Sequence, residues 1–171
     1  MKTTLNAIRK YEPCTDGWEK LLTYLGKTKA DDEPLAITTI LDSNDLDDAL
    51  WCLRAVEGHD KEIRLYAVWC ARQVQHLLKD QRSLDALDVA ERYANGEATK
   101  EELAVAKAAA YAAMWSAASA AARNAAWAVW SAATDAARDA ARNAAGDADI
   151  YRHEMEKKQE AELRRICGEI V

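Results

Sequence analysis

The chain reads as an all-α protein: a multi-helix bundle or short helical-hairpin array with a long Ala-rich C-terminal helical region. Three observations predict this. More than half of residues 104–145 are alanine, with no Pro or Gly among them, and alanine has the highest intrinsic helix propensity. Upstream, apolar residues recur three and four positions apart, as on one face of a helix. No segment sustains period-two alternation, so essentially no sheet is expected.

Each element follows from local signals. Leu5–Tyr11 is a short helix stopped by Pro13. Asp16 caps a second helix, striped by Trp18, Leu21, Leu22 and Leu25 and ended by Gly26. Pro34 suits the start of a third, carrying Leu35, Ile37, Ile40 and Leu41. Ser43 or Asn44 caps a fourth, with Leu46, Leu50 and Leu53 as its stripe and Gly58 as its end. Asp60 caps a longer helix reaching about Lys79, with Ile63, Tyr66, Cys70, Val74 and Leu77 on one face. Arg82-Ser83 opens the next, and Asn95-Gly96 has the form of a left-handed C-cap. Thr99-Lys-Glu-Glu102 is a capping box.

From Thr99 the helical signal runs unbroken to about Ala145. At about 1.5 Å per residue a single helix there would be roughly 70 Å long. That is too long for a compact domain, so a bend or break is expected near Arg123-Asn124. Asp135 with Arg138, and Asp139 with Arg142, are i,i+3 pairs that neutralise charge locally. Gly146 ends the tract, and a charged terminal helix covers residues 149–167. The length suits one domain over 1–171. Trp51-Cys-Leu-Arg54-Ala-Val56 is echoed by Trp69-Cys-Ala-Arg72-Gln-Val74, the pattern of a duplicated helical hairpin, although no period extends through the chain.

Composition excludes several functions. The alanine tract is interrupted by Arg123, Asp135, Arg138, Asp139 and Arg142, which argues against a membrane span. The N-terminus has no apolar signal core, so a cytoplasmic protein is expected. Four cysteines without a Cys-x-x-Cys pair suit buried thiols in a reducing compartment. The histidines, His59, His76 and His153, lack metal-ligand spacing, and Asp42–Asp48 is no calcium loop, because Leu46 occupies a ligand position. No phosphate loop, dinucleotide fingerprint or nucleophile elbow occurs. No cofactor and no enzymatic activity are expected.

The net charge of −6 is concentrated. Asp31, Asp32, Glu33, Asp42, Asp45, Asp47 and Asp48 fall where no Lys or Arg stands between Lys29 and Arg54. Such a cluster disfavours direct nucleic-acid binding, which needs cationic surface. It suits a basic protein partner, or equally the capping of helix starts. Trp51 lies off its helix's leucine stripe. Trp69, Arg72 and His76 lie opposite the Ile63/Cys70 stripe, either sandwiched in a core or offered to a partner. Tyr111 and Trp115 form an i,i+4 pair, and Trp127 and Trp130 an i,i+3 pair. They either lock neighbouring helices or form the seam of a homodimer.

The cassette Trp69-Cys-Ala-Arg-Gln-Val, His76-Leu-Leu-Lys-Asp80, Arg82-Ser83, Ala90-Glu-Arg-Tyr-Ala-Asn-Gly-Glu-Ala-Thr and Glu102-Leu103, followed by Ala/Trp-rich helix, resembles a family of immunity-type proteins. Those occur in bacteria near polymorphic toxin systems and in phage genomes. The resemblance covers about Asp45 to Ala145 and leaves out residues before Asp31. It implies a non-enzymatic inhibitor that binds a protein, such as a basic nuclease toxin or a nucleic-acid-handling effector. The alternatives are a phage counter-defence inhibitor, for example of a CRISPR effector, and a helical dimerisation module. The residues expected to bind the partner are the seven acids from Asp31 to Asp48 together with Trp51, Trp69, Arg72 and His76.

Overall fold

A computed structural model describes residues 1–117, 120–133, 137–145 and 149–168. Helices dominate, and the chain divides into two compact units, Met1–His59 with the segment from Glu160, and Asp60–Gln159.

In the first unit, strand β1 (Lys2–Thr3) precedes helices α1 (Leu5–Arg9) and α2 (Thr15–Leu25). Strand β2 (Leu35–Ala36) leads into α3 (Ile37–Ser43) and α4 (Leu46–Cys52), which tightens into a 3-10 turn at Leu53–Ala55. The Thr4 hydroxyl caps α1 by accepting from the Ala7 amide at 3.1 Å. Gly26 ends α2 at φ +63, a left-handed conformation that favours glycine. Leu5, Ile8, Leu21, Ile37, Ile40 and Leu50 bury their side chains together with Leu163.

Several expectations need correction here. A small sheet exists: β1 and β2 pair antiparallel, Lys2 with Ala36 and Thr3 with Leu35. Pro34 precedes this strand rather than opening a helix, because Leu35 and Ala36 are committed to the pairing. The cap of α4 is Asp45, whose carboxylate accepts from the Asp48 amide at 2.9 Å. Asn44 is used differently: its Nδ2 donates to the Gly17 carbonyl at 2.9 Å and to Asp48 Oδ2 at 2.8 Å, tying the start of α2 to α4. The first turn of α2 begins at Thr15, with Asp16 inside it and Cys14 as the N-cap. Gly17 sits so close to α4 that an added Cβ would meet Asp48 Oδ2 at 2.8 Å.

In the second unit, α5 (Asp60–Gln73) is followed by a 3-10 turn at Gln75–Leu77, then α6 (Gln81–Ala94) and α7 (Lys100–Ser116). Helices α8 (Ala120–Ala132), α9 (Ala137–Ala145) and α10 (Asp149–Ile166) complete it, α10 giving its last turns to the first unit. Helix α5 packs on α6, α8 and α9, while α8 also touches α6, α7 and α9. The interior is built mostly from alanine: Ala110, Ala125, Ala128, Ala132, Ala140 and Ala141 are all at most 2 % exposed. Side chains this small let helices approach closely, so density is reached without bulk. Tyr66, Leu87 and Val129 supply the larger volumes.

Asp60, expected as the cap of α5, lies inside its first turn, and the cap of α6 is a residue the sequence reading did not single out, whereas the signals at Gly96 and Thr99 hold. Asp80 caps α6, Gly96 follows it at φ +77, and the Thr99/Glu102 capping box is complete. The alanine tract, however, breaks at Ala117, which is extended at φ −68, ψ 127, not at Arg123-Asn124, which lie inside α8. No Pro or Gly marks Ala117, so the break is set by packing. Helix α5 likewise ends at Gln73, before Lys79. Asp135 of the Asp135–Arg138 pair, and Gly146, lie outside the described residues.

Two polar groups are held deep in this unit. Arg64 is 6 % exposed, reaches the Ala132 and Ala133 carbonyls at 3.4 Å, and places its guanidinium 4.8 Å from the Tyr93 ring centroid. Gln159 is 1 % exposed; its amide donates to the Ala141 carbonyl at 2.8 Å, and its own carbonyl accepts from the Tyr66 hydroxyl at 3.3 Å.

Candidate functional site

The acidic residues of the first unit are mostly engaged with neighbours. Lys27 Nζ lies 2.6 Å from both Asp31 Oδ2 and Glu33 Oε2. Its hydrogen bond holds the Asp31 carboxyl below the usual range and in return raises the Lys27 ammonium. Asp42 pairs with Arg164 of α10. Asp45 caps α4, Asp47 and Asp48 lie in its first turn where the helix dipole favours them, and Asp48 also accepts from Asn44. Asp32, Glu33, Asp42 and Asp45 are exposed to solvent. Trp51 is half-buried and covered by the Arg54 guanidinium, 4.4 Å from the ring centroid.

The second unit holds the other three predicted residues. Trp69 is half-buried and stacks on Tyr66 at 6.2 Å between centroids. Arg72 is bound by Asp88 at 2.7 Å and Glu91 at 2.6 Å, both on α6, so it braces α5 against α6. His76 is exposed on the 3-10 turn. In the Trp51 and Trp69 echoes, each cysteine and valine is buried, and each motif closes a helix. The turns themselves differ: α4 ends at Cys52 and passes into a 3-10 turn, whereas α5 continues through Cys70 and Arg72 to Gln73. The Cys52 thiol is pushed up to about 12, by burial first and by Asp48 second, which makes it inert at neutral pH.

A more open surface lies on α7. Its inward face buries Leu103, Ala106, Ala110, Ala113 and Met114. Ala104, Ala108, Tyr111 and Trp115 recur at spacings of four, three and four on another face, and all are exposed. Tyr111 is 44 % and Trp115 68 % exposed. Their rings meet edge-on at 6.0 Å; Tyr111 lies 6.3 Å from Trp130, and Trp130 5.4 Å from Trp127. Lys107 Nζ stands 5.4 Å from the Trp130 centroid. The result is a continuous aromatic ribbon across α7 and α8.

A second feature is a cleft of about 670 Å³ where the 3-10 turn, the start of α6, the end of α7 and α8 meet. Asp80 stands at its edge. Its Oδ1 accepts from the Arg82 amide at 3.0 Å and from Arg82 Nε at 2.9 Å, and its Oδ2 accepts from Arg82 Nη2 at 2.6 Å. The Arg82 side chain holds the Asp80 carboxyl at about 2, below its ordinary 3.8. A carboxylate depressed on folding stabilises the native state at higher pH. The contribution is therefore complete above about pH 4 and lost as pH falls through about 2. Asp80→Asn keeps a capping oxygen but cannot titrate. It is expected to flatten the acid limb of stability between those values, as read from urea midpoints at stepwise pH.

Sequence reasoning missed this cleft. The available signal was the run from Ser116 to Ala126, which has no bulky apolar residue to fill the space beside it. Comparison with protein-family models, with curated proteins and with solved structures returns no match. Among the described residues, no group of three His, Cys, Asp or Glu is placed to hold a metal ion, and no helix is long and apolar enough to cross a membrane.

Proposed function

We propose that this protein acts by binding another protein through the exposed Tyr111/Trp115 face of α7, and that it inhibits that partner without catalysis. The observation that carries the reading is the apolar stripe Ala104–Ala108–Tyr111–Trp115, left open to water on a helix whose other face is buried. Exposed Trp costs solvation without contributing to the core, and Trp and Tyr are the commonest anchors of protein interfaces. The four-three-four spacing is that of a helix seam, so a partner helix or groove fits it. The inhibitory role is what the resemblance to immunity-type proteins implies.

The acidic window supports a secondary role in the same reading. Asp32, Glu33, Asp42 and Asp45 are exposed to solvent and would steer a basic partner, while Asp31, held by Lys27, contributes chiefly to the fold.

The test is partner capture with wild type and with Tyr111→Ala/Trp115→Ala, after circular dichroism confirms unchanged helicity. The double variant is expected to lose affinity by about thirtyfold or more, as for truncated interface anchors. Unchanged affinity removes this face from the contact. Light scattering supplies a further check: a wild-type dimer that becomes monomeric in the variant would show the face to be a self-association seam instead.

A further inference from the structure

The cleft beside α6 has the anatomy of a ligand site. Its floor is buried: Leu78, Ser83, Ala113 and Ala126 are all at most 8 % exposed. Its mouth is polar, with His76 and Lys79 exposed to solvent. A volume of about 670 Å³ lies within the usual range of small-molecule pockets.

Ser83 is the feature that the fold alone does not account for. It is 1 % exposed, and its hydroxyl has no hydrogen-bond partner among the described residues. Buried hydroxyls are ordinarily paired, so an orphan on the floor of a cleft is a group waiting for a partner. Ser83 lies in the first turn of α6, so the positive end of a 14-residue helix also opens here. Lys79 adds a cation at the rim. The Asp80 carboxylate, which would repel an anion, is neutralised by the two-pronged contact from Arg82. Leu77, Leu78 and the alanines of α7 and α8 suit an apolar body, and Gln81 and Ser116 are the further polar side chains of the lining.

We propose that this cleft binds a compact organic anion: a carboxylate at the Lys79 rim, a short apolar body along the alanines, and a hydrogen-bonding group at its far end for Ser83. This is distinct from the protein-binding face of α7, since Tyr111 and Trp115 do not line the cleft.

Three probes of one shape test it: 3-(4-hydroxyphenyl)propanoate, 3-phenylpropanoate without the hydroxyl, and tyramine with an ammonium in place of the carboxylate. Titrations are followed by amide chemical shifts and by melting temperature. The hydroxylated acid is expected to saturate, with shifts confined to Lys79–Ser83 and Ala113–Ala117. The acid without the hydroxyl binds about threefold to tenfold more weakly, the worth of one ordinary hydrogen bond. Tyramine does not saturate. Ser83→Ala makes the two acids equal and leaves the melting temperature unchanged or higher, because the hydroxyl has no protein partner to lose. Lys79→Ala, a surface change, weakens both acids by about threefold. Ala126→Leu fills the floor and abolishes binding. Should that variant misfold, Ser83→Ala and Lys79→Ala still decide the matter. Shifts scattered over the surface without saturation, or tyramine binding as well as the acids, overturns the site. A hydroxyl preference that survives Ser83→Ala overturns the role given to that residue.

Discussion

Tyr66→Ala is expected to destabilise the second unit by about 3–5 kcal/mol, the range for deleting a buried aromatic ring. Tyr66 is fully buried, stacks on Trp69, and donates its hydroxyl to the Gln159 carbonyl at 3.3 Å. Tyr66→Phe separates the contributions: it keeps the ring and loses one neutral hydrogen bond, about 1 kcal/mol. Urea denaturation followed by circular dichroism measures both. A Tyr66→Ala loss no larger than that of Tyr66→Phe would mean the ring is not packed as described.

Arg64→Met should cost about 2–4 kcal/mol, in line with removing a hydrogen-bonded buried charge. The guanidinium serves the Ala132 and Ala133 carbonyls at the end of α8, where orphaned acceptors and the negative pole of the helix both call for a cation. It also lies over Tyr93 of α6. One side chain thus links α5, α6 and α8. Methionine keeps most of the volume but no donor. Arg64→Lys retains the charge without the planar fork, so it should fall between the two. Equal stability of Arg64→Met and the wild type would show that the carbonyls are satisfied otherwise.

How much of this was legible depends on how local each cause is. The Thr99/Glu102 box, Gly26 and Gly96 act within a turn, and their roles were readable from neighbouring residues. The β1–β2 pairing is two residues long and joins distant parts of the chain, so no periodicity announces it. The break at Ala117 carries no breaker residue and follows from how α7 and α8 pack. The acidic window was visible as composition, but Arg164, which pairs with Asp42, comes from the far end of the sequence. The Tyr111–Trp115 pair was visible as spacing; that both rings stay exposed while Tyr111 also meets Trp130 of α8 was not. The orphan hydroxyl of Ser83 needed the positions of α7 and α8 before it meant anything.

The alanine interior has an evolutionary corollary. A leucine core can lose a methylene and survive as a slightly looser version of itself. At Ala128, Ala132 or Ala140, each 0 % exposed, the only smaller residue is glycine, which weakens the helix by about 1 kcal/mol. Every other replacement is larger and must force α8 or α9 away from its neighbours. These positions therefore have almost no neutral substitutions. In a drifting lineage the sparsest side chains of this protein would be its slowest-changing sites, and the exposed faces of the same helices would absorb the variation.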